Sequence, residues 1–241
     1  SRGLGDVYKR QNKYYALLNT DLIVTENWLN PIIQKLESNS EIGVIQPHIL
    51  DYNKKKYFEY AGAAGGYIDK YGFPYCRGRI LNTIEVDKGQ YNLPKEIFWA
   101  SGACFVIRSK IFWKFNGFDG DFFAHQEEID LCWRIFNQNY KIYALGESKV
   151  FHIGGVTLPK SANKTYLNHR NSLFMLMKNL PGKHKFSILL SRVLINAAIA
   201  LYYLFSLKLL NLISILRAHI AFIISFRRFA LKDRDCLLYT S

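Results

Sequence analysis

Cysteine and acidic residues are scarce in this sequence, and no uncharged run reaches the length of a spanning helix. Its four cysteines (Cys76, Cys104, Cys132, Cys236) are widely spaced, with no pair at the interval metal ligands use. Three lie in apolar or helical patterns, so buried thiols in a reducing, cytoplasmic setting are expected rather than a disulfide framework. No signal or transit segment is read in the first residues. The longest uncharged run, Val193 to Leu207, has fifteen residues, against about 20 for a spanning helix.

Acidic side chains number 19 against 32 Lys and Arg, a net charge of +13. A nucleic-acid groove would interleave basic residues with exposed aromatics in the folded body, and that pattern is absent, so no nucleic-acid partner is expected. From Lys178 onward ten Lys and Arg meet only two Asp, which places +8 beside the most apolar segment. That arrangement favours an anionic membrane surface. Phe186 to Phe229 is almost wholly apolar apart from Arg192, Lys208 and Arg217. An in-plane or re-entrant helix pair competes here with a span whose Arg192 and Lys208 snorkel to the two surfaces.

What is present suffices for one substantial core and an appendage: 241 residues, 49% hydrophobic and 15% aromatic. Tyr14 to Leu18 reads as a buried parallel strand that ends at Asn19-Thr20-Asp21. Thr25 is placed to cap a helix from Glu26 to Ser38, with Trp28, Leu29, Ile32, Ile33 and Leu36 on one face. Gly43 to Pro47 reads as the next strand. This alternation predicts an α/β sheet, in which ligands gather beyond strand carboxyl ends. Residues 51 to 95 read as an irregular insertion with short strands, of the kind that lies over a site or forms its edge. Ile97 to Ile107 is strand-like but broken at Ser101-Gly102-Ala103. A helix is expected from Glu127 to about Asn139, then strand from Tyr140 to Leu145 and on into Val150-Phe151-His152.

Three segments carry chemistry. Asp21 is a hard oxygen ligand suited to Mg or Mn, although Asn-Thr-Asp is also ordinary turn chemistry. Glu127, Glu128 and Asp130 place three carboxylates in four residues at the start of an otherwise apolar helix. An acidic first turn on the helix dipole, with an Asp130 to Arg134 pair, is the plainer account of them. His152 follows an apolar strand and precedes Gly154-Gly155, where small residues permit close approach.

In this order and context, from about Tyr14 to Leu180, the segments resemble the inverting family 2 glycosyltransferases of the GT-A fold, and a rhamnosyltransferase-like member is the nearest match. The resemblance implies transfer of a sugar from a nucleotide-diphosphate donor to an acceptor hydroxyl, with a divalent cation (Mg2+ or Mn2+) as cofactor. Asn19-Thr20-Asp21 is similar to the family's Asp-X-Asp element in an Asn-X-Asp form, and His152 to a residue that completes the metal site, with His125 and His169 as open alternatives. Glu128 matches the catalytic base, with Glu127 and Asp130 as acceptor contacts or supports. The commoner family pattern has Glu followed by Asp at this point. Trp99, Ser101, Gly102 and Ala103 resemble the segment lining donor sugar and acceptor. Asn19, Lys164 and Arg170 are candidates for the diphosphate.

The fold expected is therefore α/β: a partial GT-A domain, Rossmann-like and lacking its first strands, over residues 12–180, then hydrophobic membrane-associated helices over 181–235. Residues 1–11 and 236–241 resemble translated adaptor sequence, which would make the chain an inactive internal fragment. The partners expected are a nucleotide-diphosphate sugar, a glycan or lipid-linked acceptor and the cytoplasmic side of the cell membrane, in cell-envelope polysaccharide or glycolipid synthesis. A noncatalytic glycan-binding scaffold that kept the fold is the alternative.

Overall fold

The computed structural model describes residues 12–154 and 161–238, with side chains described as far as Leu231. They fall into two compact units, one of residues 12–67, 75–118 and 131–154, the other of residues 68–74, 119–130 and 161–238.

The first unit is built on a mixed sheet. Its strands are β1 (Tyr14–Leu18), β2 (Leu22–Val24), β3 (Ile42–Asp51), β8 (Lys95–Ile97), β9 (Cys104–Arg108) and β10 (Lys141–His152). The order is β1-β9-β3-β10-β2, with β8 also on β10. Only β3 and β10 are parallel, and both are rich in buried apolar residues, as a pair covered on both faces requires. The reading of Tyr14 to Leu18 as a buried parallel strand is corrected: β1 runs antiparallel to β9 at the end of the strand order and is half-buried. An apolar run this short carries no signal of its neighbour's direction.

Helix α1 (Leu29–Ser38) presses Ile32 and Leu36 onto Ile42, Ile45, Val106 and Leu145. It starts three residues later than expected, because Thr25 does not cap it. The Thr25 hydroxyl donates instead to the Lys149 carbonyl at 2.7 Å, and Trp28 holds the N-cap position without a side-chain bond. The insertion forms a small antiparallel sheet of β4 (Gly66–Ile68), β5 (Pro74–Cys76), β6 (Arg79–Ile80) and β7 (Thr83–Ile84). A short helix α2 (Ser109–Lys114) follows β9. Cys76, Cys104 and Cys132 are free and buried.

Strand β10 gives one edge to β3 throughout and the other first to β8, then to β2. Between Leu145, paired with Pro47, and Lys149, paired with His48, it carries three extra residues. The expected pair of strands is thus one strand with a bulge. Ser148 is buried there and donates to the Trp28 carbonyl at 2.6 Å. Gly146 has no room for a side chain, since a Cβ would lie 2.5 Å from the Asn92 Cα and 2.9 Å from His48 Cε1. His48 is fully buried edge-on to Phe58, and burial pushes its pKa down to about 4.

The second unit is helical. Helix α3 (Glu127–Phe136) has its first turn here and its remainder in the first unit. α4 (Ala162–Asn179), capped by the Ser161 hydroxyl, packs on α6 (Leu209–Leu238) through Phe174 and Phe229, whose rings stack at 3.9 Å. α5 (Gly182–Phe205) and residues Leu209–Leu231 of α6 are each long and apolar enough to cross a membrane. Only 17% and 22% of their apolar windows are buried, unlike the core helices of a soluble domain. The snorkelling expected of Arg192 is corrected: its side chain is buried, with the guanidinium carbon 3.3 Å from the Phe73 ring centroid.

Two outcomes are expected. Gly146→Ala lowers stability by about 1–3 kcal/mol, because it meets backbone rather than a flexible side chain, whereas Gly120→Ala, with nothing within 4 Å, changes it by less than about 0.5 kcal/mol; thermal melts of both check this. His48 is held neutral in the fold, so the stability it permits is complete above pH 6.5 and is lost as pH falls toward 4. His48→Leu should remove on the order of 3 kcal/mol of that acid sensitivity, read from denaturant midpoints at pH 7 and pH 4.

Candidate functional site

At the carboxyl end of β10 the chain brings together residues far apart in sequence. His152 Nε2 lies 3.1 Å from Asp21 Oδ1, and its Nδ1 lies 3.4 Å from Glu59 Oε1. All three side chains are about nine-tenths buried. Strand pairing places them: His152 is opposite Leu22, next to Asp21, and the Ile153 N–H donates to the Asp21 carbonyl at 3.0 Å. Burial alone would lower the His152 pKa, but the Glu59 and Asp21 carboxylates outweigh it and hold the ring above its ordinary value.

Asp21 Oδ2 is buried with no hydrogen-bond partner, an acceptor left open beside the imidazole. Among the described residues no group of three or more His, Cys, Asp and Glu is arranged to hold a metal ion by itself. No motif in the sequence points to Glu59. It lies in the insertion, its other oxygen accepts from the Ala61 N–H at 2.6 Å, and no spacing links it to His152. Gly154 has φ +68°, and a Cβ there would sit 3.3 Å from Glu59 Oε1, while Gly155 lies outside the described residues.

The Ser101-Gly102-Ala103 segment adjoins this place through the Asn19 N–H, which donates to the Ala103 carbonyl at 3.0 Å. Ser101 is buried, donates its N–H to Gln46 Oε1 at 2.7 Å and its hydroxyl to the Ala61 carbonyl. Trp99 is buried as well, with its indole over Gly66 and its N–H on the Tyr67 carbonyl at 2.8 Å. Trp99 and Ser101 therefore build the wall from behind rather than present open surface.

In the second unit Glu127, Glu128 and Asp130 open α3, as expected. Asp130 is fully buried, with its oxygens 2.8 Å from Lys178 Nζ and 2.8 Å from Asn179 Nδ2. Burial raises the Glu127 pKa. Arg134 donates to the Phe115 and Gly117 carbonyls. Arg170 donates to the Asp121 and Phe122 carbonyls at 3.1 and 2.9 Å, so its guanidinium braces backbone instead of standing open for a diphosphate. Lys164, in the first turn of α4, acts on His125, whose pKa burial lowers and the Lys164 charge lowers further. His169 Nδ1 is 3.0 Å from Asn196 Oδ1 on α5, and burial takes its pKa to about 4, a setting of helix packing.

No family model matches the chain, and no curated protein matches it. Among solved structures it is similar to the crystal structure of GalNAc-T7 with UDP, GalNAc and Mn2+, with TM-score 0.52 and 16% identity over 73% of this chain. The fold is GT-A. The chain spans about a third (34%) of that protein's length. At this identity the likeness is one of fold, as the mixed sheet and flanking helices already implied.

The buried Lys178 to Asp130 pair sets a test of the second unit. Lys178→Met leaves that carboxylate buried without its cation and should cost about 3–5 kcal/mol, whereas pairing it with Asp130→Leu should recover much of the loss. Chemical denaturation of the two variants checks this.

Proposed function

We propose that the chain belongs to a metal-dependent, inverting GT-A glycosyltransferase of family 2, moving a sugar from a nucleotide-diphosphate donor to an acceptor hydroxyl. The observation that carries this reading is the meeting of Asp21 and His152, 131 residues apart in sequence, at 3.1 Å beside an open carboxylate oxygen. The Asp21 carboxylate oxygen and the His152 imidazole are the groups that would hold Mg2+ or Mn2+ here. A bound cation of this kind would neutralise the departing diphosphate, which removes the need for a general acid. Support for a nucleotide-sugar donor comes from the GT-A fold and from the UDP, GalNAc and Mn2+ in the similar structure.

Within this proposal Glu128 takes the proton of the acceptor hydroxyl, and one methylene more than Asp extends its reach. Asp21 and His152 bind and orient the donor end, with Glu59 fixing the imidazole from its far side. Asn19 and Lys164 remain candidates for contact with the diphosphate, and Gly102 for contact with the sugar. The apolar basic helices α5 and α6 suit a lipid-linked or cell-envelope acceptor at the cytoplasmic face of a membrane, with rhamnosyl transfer the first specificity to assay. A noncatalytic glycan-binding role is the second reading, favoured by the two carboxylates that close on both nitrogens of His152.

Mn2+ binding followed by electron paramagnetic resonance should weaken by about 10-fold or more in Asp21→Ala and His152→Ala, and be unchanged in Glu128→Gln. Sugar transfer or donor hydrolysis should fall by about 100-fold or more in Glu128→Gln. Undiminished turnover by Glu128→Gln would end the base assignment. Mn2+ binding without turnover, joined to glycan binding that ignores Glu128→Gln, would select the scaffold reading.

A further inference from the structure

The backbone leading to Glu128 is held in a conformation that L-residues avoid. Phe123 has φ 64° and ψ −59°, and the Ala124 N–H reaches back to the Phe122 carbonyl at 2.8 Å, which makes a γ-turn of the strained hand. His125 and Gln126 follow, each with φ 69°. Three such residues in four cost several kcal/mol unless neighbouring groups over-determine them. Here the neighbours come from one helix.

Asn171 of α4 is fully buried and spends its single side-chain amide nitrogen on three carbonyls, those of Phe122 at 3.0 Å, Ala124 at 2.8 Å and His125 at 2.7 Å. Arg170 adds its bonds to the Asp121 and Phe122 carbonyls, and Asn171 Oδ1 in turn accepts from Arg170 Nε at 2.9 Å. Gln126 Nε2 donates to the Asn168 carbonyl at 3.3 Å. Two residues beyond Glu128, Lys178 and Asn179 at the far end of the same helix take the Asp130 carboxylate. Glu128 therefore lies between two points fixed by α4, one in backbone and one in side chain. A helix that only packed against this segment would need apolar contact, not two side-chain nitrogens making five hydrogen bonds to its carbonyls.

We propose that Asn171, seconded by Arg170, is a positioning residue that holds the strained 122–126 turn and thereby fixes the direction in which Glu128 leaves the start of α3. The assignment rests on Glu128 being the base, and it gives Arg170 a role other than phosphate binding. Asn171 is suited to this because a planar amide nitrogen with two hydrogens can serve converging carbonyls while its oxygen faces the guanidinium. A carboxylate in its place would set oxygen against oxygen.

The test uses the full chain with Asn171→Ala, Asn171→Asp and, in parallel, Glu128→Gln. Hydrogen exchange should accelerate roughly tenfold or more at residues 122–128 in both Asn171 variants, with the rest of α4 unaltered. The kcat for sugar transfer should fall about 100-fold toward the Glu128→Gln level, with donor KM and Mn2+ affinity unchanged, a split that general loosening of the fold would not give. Exchange unchanged in the turn overturns the proposal, as does full kcat in Asn171→Ala when Glu128→Gln is inactive. Full activity in Glu128→Gln removes the base reading instead, while the exchange data still decide whether Asn171 holds the turn.

Discussion

The register of β10 is the constraint on which the first unit depends. A strand's side chains alternate faces, so a slip of one residue would carry His152 away from Asp21 and turn Ile142, Ala144 and Val150 out of the core. Three extra residues between Leu145 and Lys149 let the strand keep β3 on one edge while exchanging β8 for β2 on the other. That bulge is fixed by small groups rather than large ones. Gly146 admits the Asn92 backbone, Ser148 and Thr25 exchange bonds with the opposite loop, and His48 fills the space beside them as a neutral ring. Bulges of this sort commonly re-aim a side chain near a functional place.

The second unit solves a different problem with different means. Its helices present much apolar surface outward, so aliphatic packing alone would leave their arrangement loosely defined. Buried polar groups supply definition: Asp130 with Lys178 and Asn179, Asn171 with three carbonyls, and Asn196 between His169 and His219. Each is strong only when fully satisfied. The same helix α4 that packs Phe174 against Phe229 thus also carries the donors that shape the approach to Glu128.

The two units place their carboxylates in different settings. One brings Asp21 and His152 together at the carboxyl end of β10. The other places Glu127, Glu128 and Asp130 in the first turn of a helix, at the positive end of its dipole. Burial acts against it at Glu127 and raises that carboxyl. Strand register governs the first environment and a strained turn the second.

Much of this could be read from residue order alone. Periodicity and the Gly-Tyr-Lys bias located the helix at Glu127, the insertion over 51–95, the strand ending at Asn19-Thr20-Asp21 and the apolar helices, because each is a local pattern of burial. Composition identified the buried thiols at Cys76, Cys104 and Cys132 for the same reason. The partners of individual polar atoms were not local. Thr25 was set to cap a helix yet bonds Lys149, Arg192 was set to reach a surface yet stacks on Phe73, and Arg170 was set to meet phosphate yet holds carbonyls. Glu59 joined His152 with no signal at all. A hydrogen bond depends on a few ångströms between residues that may be a hundred apart in sequence, so chain folding decides it, whereas hydrophobic patterning depends on neighbours the sequence already contains.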